Sequence, residues 1–162
     1  MGTRKRRHMI NKNQLRELII RPTLLEIGLH SLAAENLLMG TAAQESRLGS
    51  HIRQVGGPAL GIYQMEPATH NDLWVNYLRF NPALEGKFRN LLAGLDRTPR
   101  PEQMIYDMRY ATAMCRLHYR RVKAPLPDDV SGMSEYWKQY YNTPMGRGST
   151  QDFVNNYRRY AG

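Results

Sequence analysis

The chain has 162 residues, of which 41% are hydrophobic, and it carries a formal net charge of +9. This length suits one domain with a sizeable buried core, and no apolar run approaches the ~20 residues that a membrane-spanning helix needs. Cys115 is the only cysteine, which excludes an internal disulfide. The positive charge favours an anionic partner, such as a cell-wall polymer or a nucleic acid, without choosing between them.

The first eight residues, MGTRKRRH, precede Met9 and have no apolar face to pack. We interpret residues 1–8 as an expression leader and residues 9–162 as a single domain. Removing the four basic charges of the leader from the total of +9 leaves +5. The leader is basic but lacks the apolar segment of a secretory signal, so no signal peptide is visible.

The first half of the chain predicts two main helices. Asn13 is placed to cap the first, which Pro22 is expected to stop. Ser31 is placed to cap the second, whose apolar spacing puts Glu45 near the core-facing edge of its last turn. Residues 49–63 are rich in glycine and lack a helical period, so we expect at most a small β-hairpin or an ordered loop there.

The second half predicts further helices from its proline positions, apolar periodicity and capping residues. Their expected starts lie at or near Pro67, Pro82, Glu102, Ser134 and Ser149. The periodic run that begins at Glu102 is the longest and extends to Lys123, and Ser149 with Asp152 has the pattern of a capping box. The predicted fold class is therefore all-α.

Glu45 is the leading candidate for a catalytic group. A carboxylic acid protonates a leaving oxygen near neutral pH only if burial raises its pKa well above the ~4.3 of free glutamate. The apolar neighbours of Glu45, with Tyr63 as an expected wall, provide that environment. The alternative is a surface glutamate, which the negative end of the helix dipole disfavours.

Three short motifs in this part of the chain and beyond it carry a family resemblance. They are Glu45-Ser46 at a helix end, Gly61-Ile62-Tyr63-Gln64 followed by Pro67-Ala68-Thr69, and Tyr140-Tyr141-Asn142 before a glycine-rich turn. In this order they resemble the lytic transglycosylase family of the soluble type, which has a lysozyme-like fold. The resemblance covers about residues 32–153.

The resemblance implies cleavage of the β-1,4 bond between N-acetylmuramic acid and N-acetylglucosamine in peptidoglycan. Glu45 would act first as acid on the glycosidic oxygen and then as base on the muramyl C6 hydroxyl, closing a 1,6-anhydro ring. The acetamido group of the sugar would support the cationic transition state. The resemblance implies neither a cofactor nor a metal ion. The residues that it places at the substrate are Ser46, Gly61, Tyr63, Gln64 and Tyr141, with Asn142 securing the turn beside them.

The distribution of acidic residues favours chemistry with one carboxyl group. A two-carboxylate glycosidase needs a partner roughly 5–9.5 Å from the first acid. No Asp or Glu lies between Ser46 and Met65, and the next acids, Glu66 and Asp72, stand at a helix start that favours acids through its dipole. A lysozyme-type hydrolase that uses water on the same substrate stays open.

A structural or nucleic-acid-binding virion module is the alternative from another class. The segment 116–123 contains Arg116, Arg120, Arg121 and Lys123, and Arg158 and Arg159 stand between tyrosines, a pattern that would allow phosphate binding and stacking. Such residues more often form solvated helix faces, and we rank nucleic acid low among the partners. The spacing of the histidines gives no local ligand pair for a metal.

The compact size and the lack of a visible signal peptide suggest a bacteriophage protein. We expect it to act at the bacterial cell wall, in the periplasm, as an endolysin or as a virion component that opens the wall locally. The expected partners are peptidoglycan glycan strands and, for a virion component, other virion proteins.

Overall fold

The computed structural model describes residues 9–162, so the interpretation of residues 1–8 as a leader lies outside the described residues. Residues 9–162 form eight helices and no β-strand, which confirms the all-α class. The helices are α1 (12–26), α2 (Leu32–Ser46), α3 (Pro67–Asn76), α4 (Pro82–Arg89), α5 (Gln103–Tyr106), α6 (Met108–Arg120), α7 (130–142) and α8 (150–161). A 3₁₀ turn, Leu78–Phe80, joins α3 to α4. Within residues 9–162, no helix is both long and apolar enough to cross a membrane.

Capping side chains set several helix starts as the sequence predicts. The hydroxyl of Ser31 accepts a hydrogen bond from the backbone N–H of Ala34 at 3.0 Å. At α8, the backbone N–H of Asp152 donates to the Ser149 hydroxyl and the Asp152 carboxylate accepts from the Ser149 N–H, which completes the capping box. Pro67 and Pro82 stand at the first positions of α3 and α4.

The first helix begins earlier and extends further than predicted. The Asn11 side chain, and not that of Asn13, caps it, and the helix continues past Pro22 to Glu26. A π-helical stretch, Leu15–Ile20, lies directly before the proline. Because a π turn shifts the hydrogen-bond register, it accommodates a residue that has no N–H and that crowds the preceding turn. The prediction that Pro22 stops the helix is therefore wrong.

The long periodic run of residues 102–123 is two helices. Asp107 adopts an extended conformation between α5 and α6, and its carboxylate accepts the N–H of Tyr110 at 3.0 Å. An apolar period continues through such a break, which is why periodicity alone did not reveal it. α7 likewise begins four residues before the predicted start, at Val130, because Asp129 caps it.

The second helix, α2, is the centre of the fold. It contacts α1, α6 and both halves of α8, and ten of its fifteen residues are buried. Neighbours on several sides fix the helix axis and its rotation. This packing also fixes the position of the last turn of α2, which carries Glu45.

The chain reverses direction after α2 by left-handed backbone geometry. Arg47, Leu48 and Gly49 have φ of 53°, 56° and 79°. The following segment forms only isolated antiparallel bridges, Arg53 with Leu60 and Leu60 with Met65, in place of the small hairpin that the sequence allowed.

Candidate active site

A groove of about 740 Å³ opens beside the C-terminal end of α2. Its walls come from that helix end, from residues 51–69, from α7 and from the turn that follows α7. Its polar lining side chains include Glu45, His51, Gln64, Glu66, Thr69, His118, Trp137, Tyr141, Asn142 and Arg147. The structure therefore brings Glu45, Gln64, Tyr141 and Asn142 from the sequence-derived set to one surface.

Glu45 has the properties of a tuned acid. The indole N–H of Trp137 donates to the Glu45 Oε1 at 2.9 Å. Burial raises the pKa of Glu45 to about 7, although the hydrogen bond from Trp137 acts in the opposite direction. At neutral pH both protonation states are populated, so this carboxyl group can donate a proton and then accept one.

Trp137 is the site residue that the sequence reasoning missed. Its side chain is buried, and its ring packs 5.6 Å from that of Phe153 on α8. Trp137 lies four residues before Tyr141 on α7, so both reach the same helix face. That spacing was the available signal, but nothing in the sequence connects Trp137 with α2.

Tyr141 ties α7 to the segment that follows the glycines. Its hydroxyl donates to the backbone carbonyl of Tyr63 at 2.6 Å, and its ring stacks on that of Tyr119 with centroids 5.2 Å apart. The His118 ring meets it edge-on at 5.0 Å. Burial raises the pKa of Tyr141, and the nearby Glu45 carboxylate adds to this effect. Tyr141 therefore presents a neutral, rigid ring to the groove.

Three of the residues that were expected to contact substrate do not line the groove, and that expectation is corrected for them: Ser46, Gly61 and Tyr63. Ser46 is fully buried and its hydroxyl donates to the Ile62 carbonyl at 2.6 Å. The Tyr63 side chain is 1% exposed, and its hydroxyl is hydrogen-bonded to that of Thr112. These side chains anchor the segment to the core because a buried hydroxyl needs a partner.

Gly61 has a backbone role beneath the groove. Its φ is +76°, and a Cβ there would lie 2.4 Å from the backbone oxygen of Met104. Only glycine combines that conformation with so close an approach. Gln64 follows with φ of 50°, and its Nε2 donates to the Gly61 carbonyl at 2.8 Å, so this turn sets the position of Gln64 in the groove wall.

The turn after α7 is held by Lys138 and Asn142. The Lys138 ammonium donates to the Asn142 side-chain oxygen and to the carbonyls of Gly146 and Gly148, each at 2.8 Å. The Asn142 amide donates to the Arg147 carbonyl at 2.8 Å. Arg147 itself is exposed and lines the groove, so it adds a positive charge to the wall that Glu45 also lines.

Glu66 is a second carboxyl group in the groove. It is exposed and precedes Pro67 at the start of α3. The pKa of Glu45 is set by burial and by Trp137, so the two carboxyl groups differ in environment. In residues 9–162 no three His, Cys, Asp or Glu side chains are grouped as metal ligands.

Replacing Trp137 with phenylalanine is expected to shift the pH dependence of the site. The indole N–H stabilises the charged form of Glu45, so its loss raises the pKa of Glu45 above about 7. Any activity that needs protonated Glu45 then persists to higher pH. The measurement is the pH–rate profile of the variant against that of the parent, with thermal unfolding as a check on the buried ring. An alkaline limb that stays in place or moves to lower pH contradicts this assignment.

Comparisons of the chain with protein-family models, with curated proteins and with solved structures give no match.

Proposed function

We propose that this protein is a peptidoglycan lytic transglycosylase with a lysozyme-like fold and that Glu45 is its catalytic acid and base. The observation that carries the proposal is a single buried carboxyl group with a pKa raised to about 7, at the wall of a groove of about 740 Å³. The groove volume lies within the range of small-molecule sites and suits a few sugar rings.

In the proposed reaction, protonated Glu45 donates its proton to the glycosidic oxygen between the muramic acid and glucosamine units. The acetamido group of the muramic acid supports the positive charge that develops at its C1. The Glu45 carboxylate then accepts the proton of the muramic acid C6 hydroxyl, while the oxygen of that hydroxyl bonds to C1. This ring closure releases the 1,6-anhydro product and restores the acid form of Glu45. No water is consumed, so one carboxyl group suffices.

Three side chains would position the sugar rings and the Glu45 carboxyl group: those of Tyr141, Gln64 and Trp137. The flat ring of Tyr141 is held on two sides by Tyr119 and His118, so it offers a firm surface for a sugar face. The Trp137 N–H fixes the orientation of the Glu45 carboxyl group. The proposed setting is the bacterial cell wall, reached by a phage endolysin or virion component.

A lysozyme-type hydrolase is the second candidate, because Glu66 lines the same groove. In that reaction the Glu66 carboxylate would activate a water molecule or support the transition state. Glu66 is exposed, whereas Glu45 is hydrogen-bonded to Trp137 at the groove wall.

Product analysis on purified sacculi separates the two reactions. Transglycosylation yields muropeptides that are lighter than hydrolysis products by one water and have no reducing end. We expect these anhydro products by mass spectrometry, and we expect a Glu66→Gln variant to release them at close to the parent rate. Reducing ends, together with loss of activity in Glu66→Gln, would assign the hydrolase. Salt-sensitive retention of DNA without any release of muropeptides would replace both by a binding module.

A further inference from the structure

A second cavity, of about 420 Å³, lies between the end of α1, the α3–α4 connection and the end of α6. It is separate from the groove. Arg120 lines the cavity and His118 lines the groove, and residues two apart on an α-helix project about 200° from one another. Whatever binds here does so on the opposite side of α6 from Glu45.

Two cationic side chains stand in the wall of this cavity. Lys87 and Arg120 line it, and no Asp or Glu from the described part of the chain does. The Lys87 ammonium lies against Gly28, where a Cβ would be 2.7 Å from it. The nearest acid along α4, Glu85, pairs instead with Arg89 at 2.8 Å.

Arg116 adds a third cation behind the cavity wall. It is only 8% exposed, and its Nε donates to the carbonyl of Leu29, which lines the cavity. Among residues 9–162, no carboxylate forms an ion pair with it. Buried arginines are nearly always paired. Burial lowers the pKa of Arg116, and the neighbouring Arg120 adds to this effect.

Apart from Asn81, the remaining wall residues are apolar or aromatic. Tyr77, Leu84 and Phe80 line the cavity. The Phe80 side chain is 70% exposed, and the Arg79 guanidinium lies 5.9 Å from its ring centroid. An exposed ring beside several cations is the combination that stacks a flat ring and neutralises a phosphate.

We propose that this cavity binds a phosphate monoester joined to a flat ring, as in a nucleoside monophosphate or the 5′-phosphate end of a single strand. A phosphate dianion matches the two cations in the wall, Lys87 and Arg120, with Arg116 behind them, better than a carboxylate does, and arginine and lysine both bind phosphate readily. The phosphate lies between Arg120 and Lys87, and the ring stacks on Phe80. This binding does not depend on the function proposed for the groove.

Calorimetric titration of the full chain with adenosine 5′-monophosphate, adenosine and inorganic phosphate tests the proposal. We expect saturable binding of the nucleotide at one site, weaker at high salt, with adenosine and phosphate each binding more weakly. Arg120→Gln is expected to weaken nucleotide binding about tenfold, the effect of one charge-assisted hydrogen bond. Phe80→Ala is expected to weaken it by a similar factor.

Arg158→Gln is the matched control, because Arg158 is an exposed arginine on α8 that lines neither cavity. The proposal is overturned if no saturable binding of the nucleotide occurs, if adenosine binds as tightly as its monophosphate, or if Arg120→Gln and Arg158→Gln bind equally well. A 5′-phosphorylated dinucleotide identifies the source: tighter binding than the mononucleotide indicates a strand end, and equal or weaker binding indicates a free nucleotide.

Discussion

Glu45→Gln is expected to lower the release of muropeptides from purified sacculi about 10³-fold, because the positioned proton is lost. The side chain keeps its shape, and its amide oxygen can still accept the Trp137 N–H. Folding therefore stays intact, and the thermal unfolding midpoint is expected to change by a few degrees at most. Circular dichroism and scanning calorimetry check the fold, and chromatography of released muropeptides checks the rate.

The pH dependence of the parent protein gives a second measure of the same group. The acid step needs protonated Glu45, whose pKa is raised to about 7. The rate is therefore expected to fall as the pH rises through about 7, and Glu45→Gln removes this limb together with the activity. Normal lysis by a folded Glu45→Gln protein would exclude Glu45 as the acid.

Glu35→Gln is expected to lower the free energy of unfolding by about 3 kcal/mol, the cost of removing one partner from a buried ion pair. The Glu35 side chain is 2% exposed, on the core helix α2. Arg16 and Arg21 each donate to it at 3.0–3.1 Å, and His30 contacts the same carboxylate. A glutamine amide has one accepting oxygen in place of two and no charge, so it cannot accept from all of these donors, and the cluster loses both charge and hydrogen bonds.

The contribution of Glu35 also depends on pH. Burial by itself raises the pKa of Glu35, but the hydrogen bonds from Arg21, His30 and Arg16 outweigh it and lower the pKa from 4.5 to about 2. A carboxyl group whose pKa is lower in the folded state binds fewer protons there. Its stabilisation is therefore present above about pH 4.5 and is lost as the pH falls towards 2.

Glu85→Gln is the control for this comparison. Glu85 pairs with Arg89 on the exposed side of α4, and such pairs contribute about 0.5 kcal/mol or less. Denaturant unfolding of both variants at pH 7 and pH 3 measures the difference. Equal losses in the two variants, or a Glu35→Gln deficit that grows towards pH 3, would contradict the assigned role.

Local chemistry made much of the fold predictable. Several helix starts are set by contacts within a few residues, which can be read from sequence. Examples are the starts at Ser31, at Pro67 and at the pair Ser149 and Asp152. Pro22 misled because the π turn before it lets the helix continue through a proline, and no local sequence pattern predicts that turn. Contacts between residues far apart in the chain cannot be read from sequence in the same way.

The candidate site was likewise predictable where local sequence patterns determine it, and not where distant parts of the chain meet. The position of Glu45 at a buried helix end followed from apolar spacing on α2. The partner that orients it, Trp137, lies 92 residues away along the chain, and only the folded chain brings the two together. Tyr63 was assigned to the groove wall, but its ring lies in the core and only its carbonyl meets Tyr141. Sequence motifs mark a segment, whereas side-chain direction depends on the tertiary fold.

The packing of α2 against α8 makes the groove depend on a helix that contributes none of its lining residues. Residues 150–161 cover one side of α2, and Phe153 packs beside Trp137. Proteolytic removal of α8 would therefore leave Glu45 on an incompletely packed helix and Trp137 without that neighbouring ring. A protease that cuts before residue 150 would impair the groove without touching its wall.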